Sequence, residues 1–211
     1  HNWWGARSGP SGAGPGEGDA VSENVEFIPW LNAPFPEGEP TSFEYKKKSG
    51  VGKGDTVDAE NEASAIVTFE NVDSGVSGSV TIGSTDNNPG GQTPGTAVKF
   101  VGVGTTIPDE NIEKVKITIS YTDSEISGMD EKSLTIYHWT GDEWESLETT
   151  VDTDKNVATT WTDSLSYFAL AVTPFQVSLD KGTNLISLPS IPGNPAIGNV
   201  LSNVNDDVES V

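Results

Sequence analysis

Hydrophobic and polar residues alternate over short stretches of the chain from about residue 63 onward. The alternation is clearest over residues 114–121, where Val115, Ile117 and Ile119 share one parity and lysine, threonine and serine occupy the other. A period of two places successive side chains on opposite faces, which is the pattern of a strand with one buried face. Comparable short stretches occupy residues 65–69, 78–82, 98–103, 133–139, 144–147, 157–161 and 166–172. The pattern predicts seven or eight β-strands and no long helix.

Turn-forming residues separate these stretches. Clusters of Gly, Pro, Asn and Asp lie at residues 86–91, 140–142 and 152–156, and each residue type favours a turn through its backbone geometry or its side-chain hydrogen bonds. Residues 140–142 stand between two aromatic-rich stretches and predict a tight hairpin. Many short strands with frequent turns indicate an all-β fold. We therefore predict an antiparallel β-sandwich (Ig-like) over residues 63–173.

The regions on either side of the predicted sandwich have a different composition. Residues 1–45 are rich in Trp, Gly and Pro and predict an extended segment rather than a helix. Residues 46–62 begin with three lysines, continue through alternating glycines and end in acidic residues, and we interpret them as a linker. Residues 174–211 begin with the alternating residues Phe175, Val177 and Leu179, which predict a strand. A segment this short cannot easily bury a core, so it is an incomplete module or a donor strand for another subunit.

Charge and cysteine content exclude several classes of function. The chain has 211 residues, with 11 basic against 32 acidic residues and a net charge of −21. A surface this acidic excludes nucleic-acid binding through clustered cations and disfavours anionic lipid. No cysteine is present and no apolar run approaches a membrane span, so we expect neither disulfides nor membrane insertion. Because the chain begins with His1 rather than Met, we interpret it as a processed piece without its targeting segments.

The N-terminal motif carries a resemblance to a known group of proteins. It comprises an Asn-Trp-Trp-Gly turn, Gly-Pro and Gly-Asp loop positions and a closing Pro-Trp-Leu. These features resemble the last coil of right-handed parallel β-helix proteins from archaeal and bacterial surfaces. The resemblance implies that Asn2, Trp3, Trp4 and Trp30 form a cap-like end for a stacked core, since terminal repeats are atypical. The alternative is that the tryptophans pack on a neighbouring sheet.

The predicted sandwich region carries a second resemblance. Its motif contains Tyr-Thr-Asp at 121–123, Gly128, Asp-Glu at 130–131 and Ser-Leu at 133–134, followed by Tyr137, Trp139, a Gly-Asp turn and Trp144. The pattern is similar to a β-sandwich module that follows the β-helix in archaeal and bacterial surface-layer-like proteins. The segment 182–189, GTNLISLP, resembles the opening of a further β module of such proteins. These resemblances imply an extracellular, cell-surface location and no catalytic residues.

Candidate chemistry in the sequence is sparse. The chain contains two histidines, His1 and His138. A single internal histidine does not support a Ser-His-Asp set, and we expect no enzyme activity. We expect either that the chain has no cofactor or that it binds calcium. Asp152, Asp154 and Asn156 place oxygen-bearing side chains at alternate positions in a turn, although the glycine and distant glutamate of an EF-hand loop are missing. The alternative is a polar hairpin turn that uses Asp and Asn for backbone hydrogen bonds.

These observations lead to two hypotheses about function. The first is a structural subunit of an extracellular assembly (sheath, S-layer or filament) that polymerises with copies of itself by β-strand addition. The expected assembly residues are Val21, Val25, Phe27, Phe175, Val177 and Leu179. The alternative is a glycan-binding or adhesive accessory region of a larger β-helix surface protein or polysaccharide-active enzyme. In that case cell-wall glycans would be the partner, and Trp139, Trp144 and Trp161 could share one binding face.

Overall fold

Strands make up most of the regular structure. The computed structural model describes residues 1–92 and 95–172. The strands are β1 (Pro10–Gly12), β2 (Gly18–Val21), β3 (Glu44–Gly52), β4 (Thr56–Ala59), β5 (Ala65–Val72), β6 (Ser77–Thr85), β7 (Thr96–Thr105), β8 (Ile112–Ser120), β9 (Leu134–Trp139), β10 (Trp144–Ser146), β11 (Thr150–Asp152), β12 (Val157–Thr162) and β13 (Tyr167–Val172). One short helix, α1 (Glu60–Ala63), and two single 3₁₀ turns, Asp109–Asn111 and Glu131–Ser133, complete the described elements.

The strands form two large antiparallel sheets. The first sheet has six strands in the order β10-β9-β13-β7-β6-β3, and the second has five in the order β11-β12-β8-β5-β4. The predicted hairpin at residues 140–142 joins β9 to β10, with Trp139 opposite Trp144. The two sheets pack face to face, so the predicted all-β antiparallel sandwich is confirmed.

The core between the sheets follows from the alternation in the sequence. In β8, Val115, Ile117 and Ile119 are fully buried, whereas the residues between them face outward. Ile82 of β6 and Phe168 of β13 are equally buried on the facing sheet. Burying branched and aromatic side chains from both sheets removes apolar area from water, which is the main favourable contribution to a sandwich of this kind.

The sandwich begins earlier in the chain than the sequence predicts. Residues 46–62, expected to be a linker, instead lie largely in β3, β4 and α1, and β3 and β4 are edge strands of the two sheets. The strand β3 was not predicted because its residues Glu44–Gly50 are all exposed. The alternation of apolar residues that would mark a strand is therefore missing there. Residues 174–211, with Phe175, Val177 and Leu179, lie outside the described residues.

The N-terminal segment, residues 1–43, lies on the outer face of the six-stranded sheet. Within it β1 pairs with β2 in parallel, and Asn2 forms a parallel bridge with Trp30. Regular strand pairing takes up little of the predicted extended segment, since β2 ends at Val21. A second apolar cluster joins the segment to the sheet, and it consists of Ala13, Val21, Phe27, Trp30, Phe43, Trp139 and Tyr167.

Two glycines of β7 allow this close approach. A Cβ at Gly104 would lie 2.4 Å from the carbonyl carbon and oxygen of Gly14, and one at Gly102 would lie 2.9 Å from the Pro15 ring. Side chains at these positions would hold the segment away from the sheet. The absence of side chains on this part of β7 therefore creates the space in which the N-terminal backbone lies.

Candidate functional site

The long free edge of β3 is the first candidate surface. β3 pairs with β6 on one side, and the remaining described edge strands of the two large sheets, β4, β10 and β11, have only three or four residues. Seven consecutive residues of β3, Glu44–Gly50, are exposed. An edge strand presents unpaired backbone N–H and C=O groups that can pair with another strand. The β3 edge is long enough for such an interaction.

Three lysines give this edge its charge. Lys47 reaches across the outer face to donate a hydrogen bond to the backbone carbonyl of Glu23, and Lys48 Nζ donates to the carbonyl of Thr56 at 3.0 Å. Lys46 directly precedes these two residues and is also exposed. Lysines on an edge oppose pairing between two identical β3 strands, because like charges would meet. The same lysines favour a partner strand that carries negative charge.

The predicted N-terminal assembly residues are distributed between interior and surface. Val21 ends β2 and is buried, and Phe27 is buried in the second apolar cluster with its ring centroid 6.3 Å from that of Trp30. Val25 is 36% exposed in the turn that separates them. Val21 and Phe27 thus contact this chain's own sheet, and Val25 is the one of the three that a partner can reach directly.

The predicted cap-like residues lie together at one place in the N-terminal segment. Asn2 bridges to Trp30, and the backbone N–H of Leu31 donates to the Asn2 carbonyl at 2.9 Å. Trp30 is fully buried, whereas Trp3 and Trp4 are half-buried. Trp4 packs against the second apolar cluster, and its Nε1 is buried without a hydrogen-bond partner. Trp4 and Trp30 thus pack on the sandwich's own sheet, which is the alternative interpretation of the tryptophans.

The predicted calcium ligands form a turn between β11 and β12. Lys155 forms an ion pair with Asp152, and this hydrogen bond is the main cause of the lowered pKa of the Asp152 carboxyl. Asn156 has a left-handed backbone and donates from Nδ2 to Asp123 Oδ1 at 2.8 Å, while Asp154 is exposed. The part of the chain that the structure describes contains no group of three His, Cys, Asp or Glu suited to a metal. Calcium at this turn stays a prediction.

The three candidate glycan-binding tryptophans do not share a face. Trp139 and Trp144 lie on the outer face of the six-stranded sheet, with ring centroids 5.4 Å apart, and the N-terminal segment covers much of this face. Trp139 also donates from Nε1 to Glu17 at 2.9 Å. Trp161 projects from the opposite sheet, where it is 42% exposed.

Trp161 lies beside two lysines that the sequence analysis did not select. Lys114 Nζ is 5.5 Å and Lys116 Nζ is 5.9 Å from the indole centroid. The alternation of residues 114–121 already indicates that both lysines face outward, since they occupy the parity opposite Val115 and Ile117. The sequence does not reveal the strand register, which places Trp161 directly opposite Lys116.

His138 lies inside the six-stranded sheet rather than in an open cleft. Its ring stacks on Phe168 with centroids 4.9 Å apart, and Nε2 is 2.9 Å from Ser166 Oγ. Burial lowers the pKa of His138, with Asp163 acting weakly in the opposite direction. The Ser166 hydroxyl also donates to the Trp139 carbonyl, so this pair is engaged in the packing of β9 against β13.

Comparisons with protein-family models, curated proteins and solved structures find no match to this chain. Over the described ranges, no helix has both the length and the apolar character needed to cross a bilayer.

Proposed function

We propose that this chain is a structural subunit of an extracellular assembly, and that copies join when a strand of one copy adds to the β3 edge of the next. The observation that carries the proposal is the long exposed β3 edge with its three adjacent lysines in a chain of net charge −21. Strand addition uses main-chain hydrogen bonds for affinity and alternate side chains for specificity. It would connect subunits without cysteine.

The donor we propose is the segment that begins with Phe175, Val177 and Leu179. Its alternation is that of a strand, and residues 174–211 contain four acidic residues and one lysine. The alternating residues 175–179 bring no cation to Lys46, Lys47 and Lys48, and three of the four acidic residues follow at 206–209, whereas a second β3 strand would bring lysines together. Opposite charge therefore favours the head-to-tail arrangement, which extends into a polymer when the contact does not close into a ring.

The N-terminal segment supports a cell-surface setting for this assembly. Its short parallel pairings, β1 with β2 and Asn2 with Trp30, differ from the antiparallel sheets beneath them. Parallel pairing is what a segment resembling the end of a parallel β-helix would bring with it. The proposal places this segment at the junction between such a coil and the sandwich, on the outside of the cell.

A complementation experiment tests the proposed contact. The acceptor variant carries Lys46→Glu, Lys47→Glu and Lys48→Glu, and the donor variant carries Val177→Pro, which removes a backbone donor and restricts the strand. We expect native chains to form higher-order species in sedimentation velocity and in electron micrographs, and each variant alone to remain monomeric. Mixing the two variants restores one intact contact per pair, so the mixture should give dimers and no polymers.

A matched control separates the contact from the overall charge change. Lys53→Glu with Lys132→Glu alters exposed lysines away from the exposed stretch of β3 and should leave assembly intact. Native chains that stay monomeric at all concentrations would contradict the proposal, as would polymers formed by the acceptor variant. Repeating the micrographs after calcium chelation asks separately whether the predicted ion contributes to the contacts.

A further inference from the structure

The outer face of the five-stranded sheet carries an aromatic side chain beside two cations. Trp161 is the exposed tryptophan of the described residues, and Lys114 and Lys116 are its neighbours on β8. This face is on the opposite side of the sandwich from the N-terminal segment and from the tryptophan pair of β9 and β10. We propose that it binds a polysaccharide that contains carboxylate-bearing sugars, in a site independent of the β3 edge.

A row of side chains across the sheet defines the site. The strand register places Thr56, Thr68, Lys116 and Trp161 opposite one another on β4, β5, β8 and β12. Neighbouring strands are about 4.8 Å apart, so the row extends over about 14 Å. A glycan lying across the strands would meet the indole face at one end, an ammonium group next and two hydroxyls after that.

The indole is held in place by its neighbours. Glu70 forms an ion pair with Lys114 at 3.0 Å. Lys114, and after it Trp161, lower the pKa of the Glu70 carboxyl, so this carboxylate lies beside both side chains. A fixed aromatic ring loses little conformational freedom when a ligand stacks on it. The apolar face of a sugar ring is a suitable partner for such a surface.

Lys116 supplies the charge selectivity. Lys114 is neutralised by Glu70, whereas over the described residues no carboxylate lies within ion-pair distance of Lys116 Nζ. A cation beside a stacking ring selects a sugar that carries a carboxylate near the stacked face. A neutral glycan would satisfy the indole and leave this cation unused.

The small number of cations at this site disfavours the other polymer that could stack on tryptophan. Single-stranded nucleic acid requires a cationic groove that follows the backbone, and the row offers Lys116 alone outside the ion pairs of the described residues. A polyuronate also carries negative charge, but it can use the local cation together with hydrogen bonds to Thr68 and Thr56. The site is therefore assigned to an acidic glycan.

Affinity electrophoresis and calorimetry with polygalacturonate, dextran and oligothymidylate at physiological salt test the assignment. We expect polygalacturonate to retard the native full-length chain and to quench its tryptophan emission, with no effect of dextran or oligothymidylate. Trp161→Ala should weaken the interaction about tenfold or more, which corresponds to about 1.4 kcal/mol. Lys116→Gln should weaken polygalacturonate binding in the same direction and reduce its salt dependence.

Two controls make the result decisive. Lys132→Gln removes an exposed lysine outside the site and should bind polygalacturonate like the native chain. Trp161→Phe retains a stacking ring and should recover part of the affinity lost in Trp161→Ala. Equal binding by Trp161→Ala, equal binding of oligothymidylate, or no binding of polygalacturonate by the native chain would each overturn the assignment.

Discussion

Replacing Trp30 by alanine tests whether the N-terminal segment is an integral part of the fold. Trp30 is 2% exposed, and its Nε1 donates to the Arg7 carbonyl at 3.2 Å. Its ring centroid is 5.3 Å from that of Phe43 and 6.3 Å from that of Phe27. A Cβ at Gly9 would lie 2.5 Å from the indole, so the backbone there lies directly against the ring. The substitution removes the centre of the second apolar cluster.

The expected loss of stability follows from these contacts. Truncation removes about 200 Å² of buried apolar area, which at about 25 cal/mol per Å² gives about 5 kcal/mol. A compact unfolded state lowers this value to about 3–4 kcal/mol, and the lost hydrogen bond adds about 1 kcal/mol. The free energy of unfolding should therefore fall by about 4–5 kcal/mol. For a chain of this size the midpoint of thermal unfolding should drop by about 10–15 °C.

Urea and thermal unfolding followed by circular dichroism measure this loss. Trp161→Ala is the matched control, because the same side chain is removed from an exposed site and should cost less than about 1 kcal/mol. Limited proteolysis should cut residues 1–43 in the Trp30→Ala variant before it cuts the strands of the sandwich. A loss below about 1 kcal/mol for Trp30→Ala, or equal losses for both variants, would refute the idea that the segment is part of the stable fold.

Two further predictions concern the same sheet. Gly104→Ala inserts a methyl group against the Gly14 backbone and should lower the free energy of unfolding by about 1–3 kcal/mol. In hydrogen exchange, residues 1–43 should lose protection of their amides while β8 keeps its protection. Unchanged exchange in residues 1–43 would contradict this. Burial lowers the pKa of His138 in the folded state. As the pH falls, the unfolded state therefore takes up a proton at this histidine before the folded state does, and stability should decrease below about pH 6.5. Comparing melting temperatures at pH 7.5 and 5.5 tests this, since His138→Gln should lose less stability between the two values than the native chain does.

The sandwich was predictable because its inner strands have a strong period of two. Val115, Ile117 and Ile119 must all be buried for β8 to pack, and their alternation is visible without a structure. The edge strand β3 was not predictable in this way. Its first seven residues face solvent, so burial does not select their side chains and an apolar pattern does not arise.

The candidate surfaces could also be predicted only in part from the sequence. Trp161 was selected from its residue type, but its partner Lys116 is defined by strand register, which depends on the pairing of β8 with β12. Gly102 lies within the predicted strand 98–103 and Gly104 follows it, and neither was predicted to have a role in packing. Their role depends on a segment almost 90 residues earlier in the chain, which local sequence patterns cannot reveal.

The contacts of the N-terminal segment also define an order of folding. Ser8 accepts a hydrogen bond from Tyr167, and Glu17 accepts one from Trp139, across separations of 159 and 122 residues. During synthesis the tryptophan-rich segment leaves the ribosome before the strands of the sandwich, and its docking surface is incomplete until β13 has been made. The segment can therefore dock only after these later strands are in place. Until then, their aromatic side chains remain accessible to chaperones and to other nascent chains.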